Sequence, residues 1–159
     1  IPREPLLSAN DEEVPKKVKK KSQYAKPEGV YVDVRSLCGQ RLDAIRDQVH
    51  DQLGPRQNIR ELGEVAGREI QYTRGTIRVL DGVVYMMSIP LLEPMYRRQA
   101  LQTVGFPAQT TSVLAYSGEY RINNQWDFRR IRMRRSARDA ETISEVDVWR
   151  WQQRTQHVL

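Results

Sequence analysis

The sequence predicts an α+β domain in which two helix-then-strands repeats form one antiparallel sheet, with the helices packed on one face. Three observations carry this expectation. Residues 41–55 read RLDAIRDQVHDQLGP, an amphipathic helical pattern closed by Gly54-Pro55. Residues 96–107 read YRRQALQTVGFP, a shorter version closed by Gly105-Phe106-Pro107. Each is followed by β-branched and aromatic runs that end in a long apolar strand.

A chain of 159 residues can bury one sizeable core, but not two independent ones. The expected organisation is a basic extended tail or linker over 1–29, repeat unit 1 over 30–92, repeat unit 2 over 93–152 and a C-terminal tail over 153–159. The tail is rich in Pro, Lys, Glu, Asp and Ser, without a period. Every lysine lies between Lys16 and Lys26, and every arginine but Arg3 lies from Arg35 onward. The cluster Lys16, Lys17, Lys19, Lys20 and Lys21 can touch nucleic acid or anionic lipid headgroups, or serve as a solvated spacer. Asp11, Glu12 and Glu13 partly cancel its field. No apolar run is long enough to span a membrane, and no signal peptide is visible. The chain opens on Ile rather than Met, so it is expected to be either processed, as a mature exported protein is, or trimmed.

In unit 1, Asp33 or Ser36 is the expected helix N-cap. Leu42, Ile45, Val49 and Leu53 recur along one helical face. A polar stretch then runs to Gly67, with at most a short helical turn. Strands are expected at 68–74, 76–80 and 83–89, and Asp81-Gly82 predicts a type I′ hairpin turn. Unit 2 opens after Pro90 and Pro94. Arg97, Ala100, Leu101 and Val104 make its helix face. Its strands are expected at 113–122, 126–135 and 143–151.

These residues resemble a known family. Helices ending in Leu53-Gly54-Pro55 and Val104-Gly105-Phe106-Pro107, the pair Trp126-Asp127-Phe128, and the hairpin Leu80-Asp81-Gly82-Val83 look like the small outer-membrane assembly lipoproteins of the SmpA/OmlA (BamE) type. Their tandem arrangement is similar to the β-lactamase inhibitor protein fold. The likeness spans about residues 34–151 and implies an envelope protein that binds other proteins. Unit 1 lacks the Trp-x-aromatic pair, and the chain lacks a lipobox cysteine.

No catalytic residues, cofactor or metal site are expected. The two histidines, His50 and His157, have no ligand spacing around them. The single cysteine, Cys38, excludes an internal disulfide and reads as a buried small apolar group. Neither a phosphate-binding glycine loop nor a Gly-x-Ser-x-Gly elbow is present. Glu119, Glu145 and Asp147 sit on strands, but the lysine-free body lacks the partner of a strand-carboxylate nuclease.

Strand parity points instead to a binding surface. Ile131 and Met133 face one way, and Arg130, Arg132 and Arg134 the other. Val146 and Val148 share one face; Glu145, Asp147, Trp149 and Trp151 share the other. Phe128 and Trp126 look like core yet carry the parity of the arginines, so a bulge is expected near Arg129-Arg130. In the first hairpin, Ile77, Val79, Val84 and Met86 are read on one side, with Tyr85, Met87 and Ile89 on the other. The expected partner-binding residues are Tyr85, Met87, Arg130, Arg132, Arg134, Trp149 and Trp151. The chain therefore reads as a non-catalytic protein-binding or assembly module of the periplasm or cell envelope, with the cytoplasm as alternative. A nucleic-acid-binding protein is the alternative function, through the Arg/aromatic face and the lysine cluster.

Overall fold

The computed structural model describes residues 25–108 and 112–151. The tail lysines Lys16, Lys17, Lys19, Lys20 and Lys21 lie outside the described residues. In chain order the elements are α1 (Val34–Leu37), a single 3-10 turn (Leu42–Ala44), α2 (Arg46–Leu53), β1 (Arg56–Gly63), β2 (Gly67–Tyr72), β3 (Gly75–Leu80), β4 (Val83–Tyr96), α3 (Arg97–Thr103), β5 (Val113–Leu114), β6 (Tyr120–Gln125), β7 (Phe128–Arg135) and β8 (Thr142–Arg150). The strands form one antiparallel sheet of eight, in the order β1-β2-β3-β4-β8-β7-β6-β5. The chain thus builds two meanders whose last strands, β4 and β8, pair at the centre. Residues 92 and 93, expected to divide the halves, both lie within β4.

Helix accounts for 18% and strand for 48% of the described chain. The expected α+β layering, with helices packed on the sheet, is corrected to a sheet-dominated fold. Two local causes explain the difference. Ile45 takes φ −124° and ψ 18°, which separates the turn Leu42–Ala44 from α2 and leaves a helix of 8 residues. Residues Arg56–Gly63, read as a polar connection, form a whole strand. Its side chains are almost all exposed at the sheet edge, so no apolar alternation announces it.

Turn chemistry sets the hairpins. Asp81 and Gly82 both take positive φ, 54° and 81°, between the paired Leu80 and Val83, as a type I′ turn requires. Trp126 and Asp127 make the same two-residue turn, with φ of 53° and 67°, between Gln125 and Phe128. Left-handed backbone is costly for a bulky residue. The Trp126 ring is held by stacking on Phe106 at 5.2 Å and by the Arg35 guanidinium at 5.7 Å. A further turn, closed by Gly118 N–H donating to the Ala115 carbonyl (2.9 Å), breaks the expected strand 113–122.

Three of the register shifts are single-residue bulges that set which side chains of the central strands are buried. Arg78 pairs with Met86 and Val79 with Val84, so Tyr85 is the extra residue of a bulge. Phe128 pairs with Arg150 and Arg130 with Trp149, so Arg129 is the extra residue of a second bulge, where the parity conflict demanded one. Arg134 pairs with Glu145 and Arg135 with Ile143, which makes Ser144 the third. The bulges bring Met87, Ile89, Phe128, Ile131, Ile143 and Val146 into one fully buried face. That face joins a single cluster with Val32, Leu37, Cys38, Val49, Leu53, Leu101 and Phe106 from the leading segment, helices and helix ends. Asp33 caps α1 by accepting from Ser36 N–H (3.3 Å), and its own N–H donates to Gln52 Oε1 (2.8 Å), tying α1 to α2. Burial pushes the Cys38 thiol up to about 12, so it stays protonated among its apolar neighbours.

Candidate functional site

The side of the sheet turned away from the core is polar, and register fixes its rows. One row runs Gln71, Thr76, Ser88, Asp147, Arg132 and Arg121 from β2 to β6. The next runs Arg60, Glu69, Arg78, Met86, Trp149 and Arg130 from β1 to β7. A shorter third row joins Pro90, Glu145 and Arg134. The bulges at Tyr85 and Arg129 create these rows, because they turn Met86 and Arg130 toward this face while their apolar neighbours turn inward.

Most charges of the central rows are paired before any partner arrives. Asp147 is fully buried although it points away from the core. Its Oδ2 accepts from Arg132 Nε (3.0 Å) and Nη2 (2.8 Å), and its Oδ1 accepts from the Ser88 hydroxyl (2.6 Å). Arg134 Nε lies 3.4 Å from Glu145 Oε2 and 3.6 Å from Asp147 Oδ2. Burial, and then the hydrogen bond and charge of Asp147, raise the Glu145 carboxyl from 4.5 to about 7; Arg134 and Ser88 pull it the other way. In the other half of the sheet, Glu69 is buried between Arg60 Nη2 (3.0 Å) and Arg78 Nε (3.1 Å). The Trp149 ring lies 4.9 Å from the Arg132 guanidinium and 5.9 Å from that of Arg130.

Arg130, Arg132, Arg134 and Trp149, expected together from parity, do share this face. Trp151 lies just past β8 and is 56% exposed. Tyr85 sits in the bulge beside Arg78, and its hydroxyl donates to the Ala66 carbonyl (2.7 Å). Met87 is the correction: it is fully buried in the core, because the bulge at Tyr85 shifts parity and Met86 takes its place on the polar side. Ser88, Glu69 and Arg121 belong to the face and escaped the sequence reading. Their positions depend on which strands are neighbours, and no local signal carries that.

Two further features lie off this face. A groove of about 680 Å³ between the β1–β2 hairpin and the segment 41–46 has Leu42, Ile59, Ile70 and Val79 among its lining, with Arg41, Arg46, Asp43 and Glu61 around them. Leu92, Tyr96, Val113, Leu114 and Tyr116 are exposed, and the pairs Tyr96–Thr142 and Leu114–Tyr120 place the last strands of that group at one end of the sheet. Among the described residues, no group of three His, Cys, Asp or Glu side chains is placed to hold a metal ion. No helix among them is long and apolar enough to cross a membrane. No family model matches the chain, and no curated protein or solved structure matches it at a significant level.

Proposed function

We propose that this chain is a non-catalytic protein-binding or assembly module whose partner docks on the polar sheet face around Trp149. The observation that supports this reading most is the pre-paired ladder Ser88–Asp147–Arg132 with Arg134–Glu145 beside it. Immobilising a flexible side chain on docking costs roughly 0.5–1.5 kcal/mol. Arginines already held by buried carboxylates present their remaining N–H groups in fixed directions, so that cost falls. Trp149, Tyr85 and the arginines are also residue types enriched at interfaces. The resemblance to outer-membrane assembly proteins supports a periplasmic or envelope location. In this reading the basic tail makes a second, peripheral contact.

The alternative, a nucleic-acid-binding protein, has one observation in its favour: the charges of Arg121 and Arg129 act on Arg130, whose guanidinium lies 5.9 Å from the Trp149 ring. Against it, Glu69, Glu145 and Asp147 stand on the same face, where a phosphate backbone would meet them. A photo-cross-linking residue at Arg134, compared with one at Glu64, tests the first reading in cells of the source organism. The expected result is a protein adduct from position 134 that position 64 does not give. Anisotropy of a random labelled oligonucleotide tests the second. Binding tighter than about 1 μM at physiological salt, lost steeply as salt rises, would favour nucleic acid over a protein partner.

A further inference from the structure

We propose that Arg130 and Trp149 form a receptor for a single carboxylate carried by an acidic segment of the partner. The inference rests on the docking face proposed above and names what that face recognises. The acids of the central rows are engaged: Asp147 by Arg132 and Ser88, Glu145 by Arg134, and Glu119 by Arg121 at 2.9 Å. Arg130 stands between these pairs. Its Nε is closed off from solvent and has no hydrogen-bond partner, a costly state for a charged donor. The charges of Arg121, Arg129 and Arg132 act against its own, and that of Glu119 opposes them. Its guanidinium lies 5.9 Å from the Trp149 ring, and Asn123 is its cross-strand neighbour on β6. The site thus carries more positive than negative charge. A carboxylate there meets the outer N–H groups of the guanidinium beside an aromatic wall and an amide, while the covered Nε stays out of its reach. The excess is local, because carboxylates lie in the rows around it. A peptide carboxylate flanked by neutral groups suits that spacing; a nucleic-acid backbone, with a phosphate at every nucleotide, would run onto Glu145 and Asp147.

The test titrates the full chain, with arginine side chains labelled with nitrogen-15, with a capped hexapeptide containing two glutamates. The control peptide carries glutamines instead. The expected result is a saturable shift of the Arg130 Nε–H signal with the glutamate peptide and none with the glutamine one. Arg130→Gln should weaken binding about tenfold, and Arg68→Gln, on the far hairpin, should leave it unchanged. Arg130→Lys keeps the charge but loses the fork, and should fall between. An equal response to both peptides, or binding indifferent to Arg130→Gln, would overturn the receptor. So would an oligonucleotide that moves the same signal at more than tenfold lower concentration. The signal in the unaltered chain decides the matter even if a variant folds poorly. A lost peptide effect with the position-134 adduct intact removes the receptor alone; a lost adduct removes the docking face too.

Discussion

Asp147 is the point where the account of the polar face can be put under most strain. Asp147→Ala deletes the acceptor of three hydrogen bonds, two from Arg132 and one from Ser88. Breaking a buried ion pair from one side costs roughly 3–5 kcal/mol. An exposed pair is worth roughly 0–1 kcal/mol. The Asp147 side chain has no exposure, but Arg132 keeps 21% and can recover some hydration. The expected loss is therefore about 2–4 kcal/mol, or a melting-temperature drop of roughly 4–16 °C for a chain of this size. Asp147→Asn keeps an acceptor for Ser88 and should lose about half as much. A second effect separates this from generic core damage. Glu145 has a folded pKa raised from 4.5 to about 7, so its contribution is complete below pH 4.5 and is lost as pH rises through about 7. That interval would correspond to ~3 kcal/mol at ~1.4 per pH unit. Because Glu145 is only half-buried, screening reduces it to ~1–2 kcal/mol. Urea unfolding across pH 5 to 8 should show this decline in the unaltered chain. It should flatten in Asp147→Asn and disappear in Glu145→Gln. An Asp147→Ala cost below about 0.5 kcal/mol, or an unchanged pH slope in Glu145→Gln, would refute the reasoning.

Three further outcomes follow from the packing. Gly67 has φ +77°, and a Cβ there would strike the Val79 carbonyl of β3; Gly63 has φ +101° but open space around it. Gly63→Ala should cost about 1 kcal/mol of backbone strain, and Gly67→Ala clearly more, both read from urea unfolding. Cys38 is buried with its pKa pushed up to about 12, so a thiol reagent at pH 8 should label it only at the rate of unfolding. Phe128→Ala empties a fully buried position and should cost about 3–5 kcal/mol, while Trp151→Ala should stay within about 0.5 kcal/mol.

How much was legible in the sequence depended on where the information sits. Asp81-Gly82 was readable because its two residue types favour the positive φ that the turn needs. The bulge at Arg129 was readable because Phe128 and Ile131, both apolar, stand three apart and cannot share a face on an even pleat. The bulge at Tyr85 was not. Val83-Val84-Tyr85-Met86-Met87 is apolar throughout, so no parity conflict arises, and Met87 was assigned to the wrong side. Trp126-Asp127 also gave no sign of its turn, because packing on Phe106 and Arg35 holds a conformation that local preference disfavours. The two-layer expectation failed for a related reason. Apolar spacing over 41–53 cannot show that Arg41 is drawn into a bridge with Val83 and that the helix starts only at Arg46. For the candidate site, alternation along β7 and β8 placed the arginines opposite Glu145 and Asp147. Ser88 and Glu69 joined them through strand order, which only the folded chain supplies.

The docking of a partner on the polar face is tested most directly by oxidative footprinting of the full chain, alone and with the protein captured from position 134. Tyr85, Trp149 and Trp151 should be protected in the complex, while Ile59 in the groove and Leu92 at the sheet end keep their free reactivity. Protection of Ile59 or Leu92 with Trp149 and Trp151 oxidised as before would place the partner elsewhere and contradict the account.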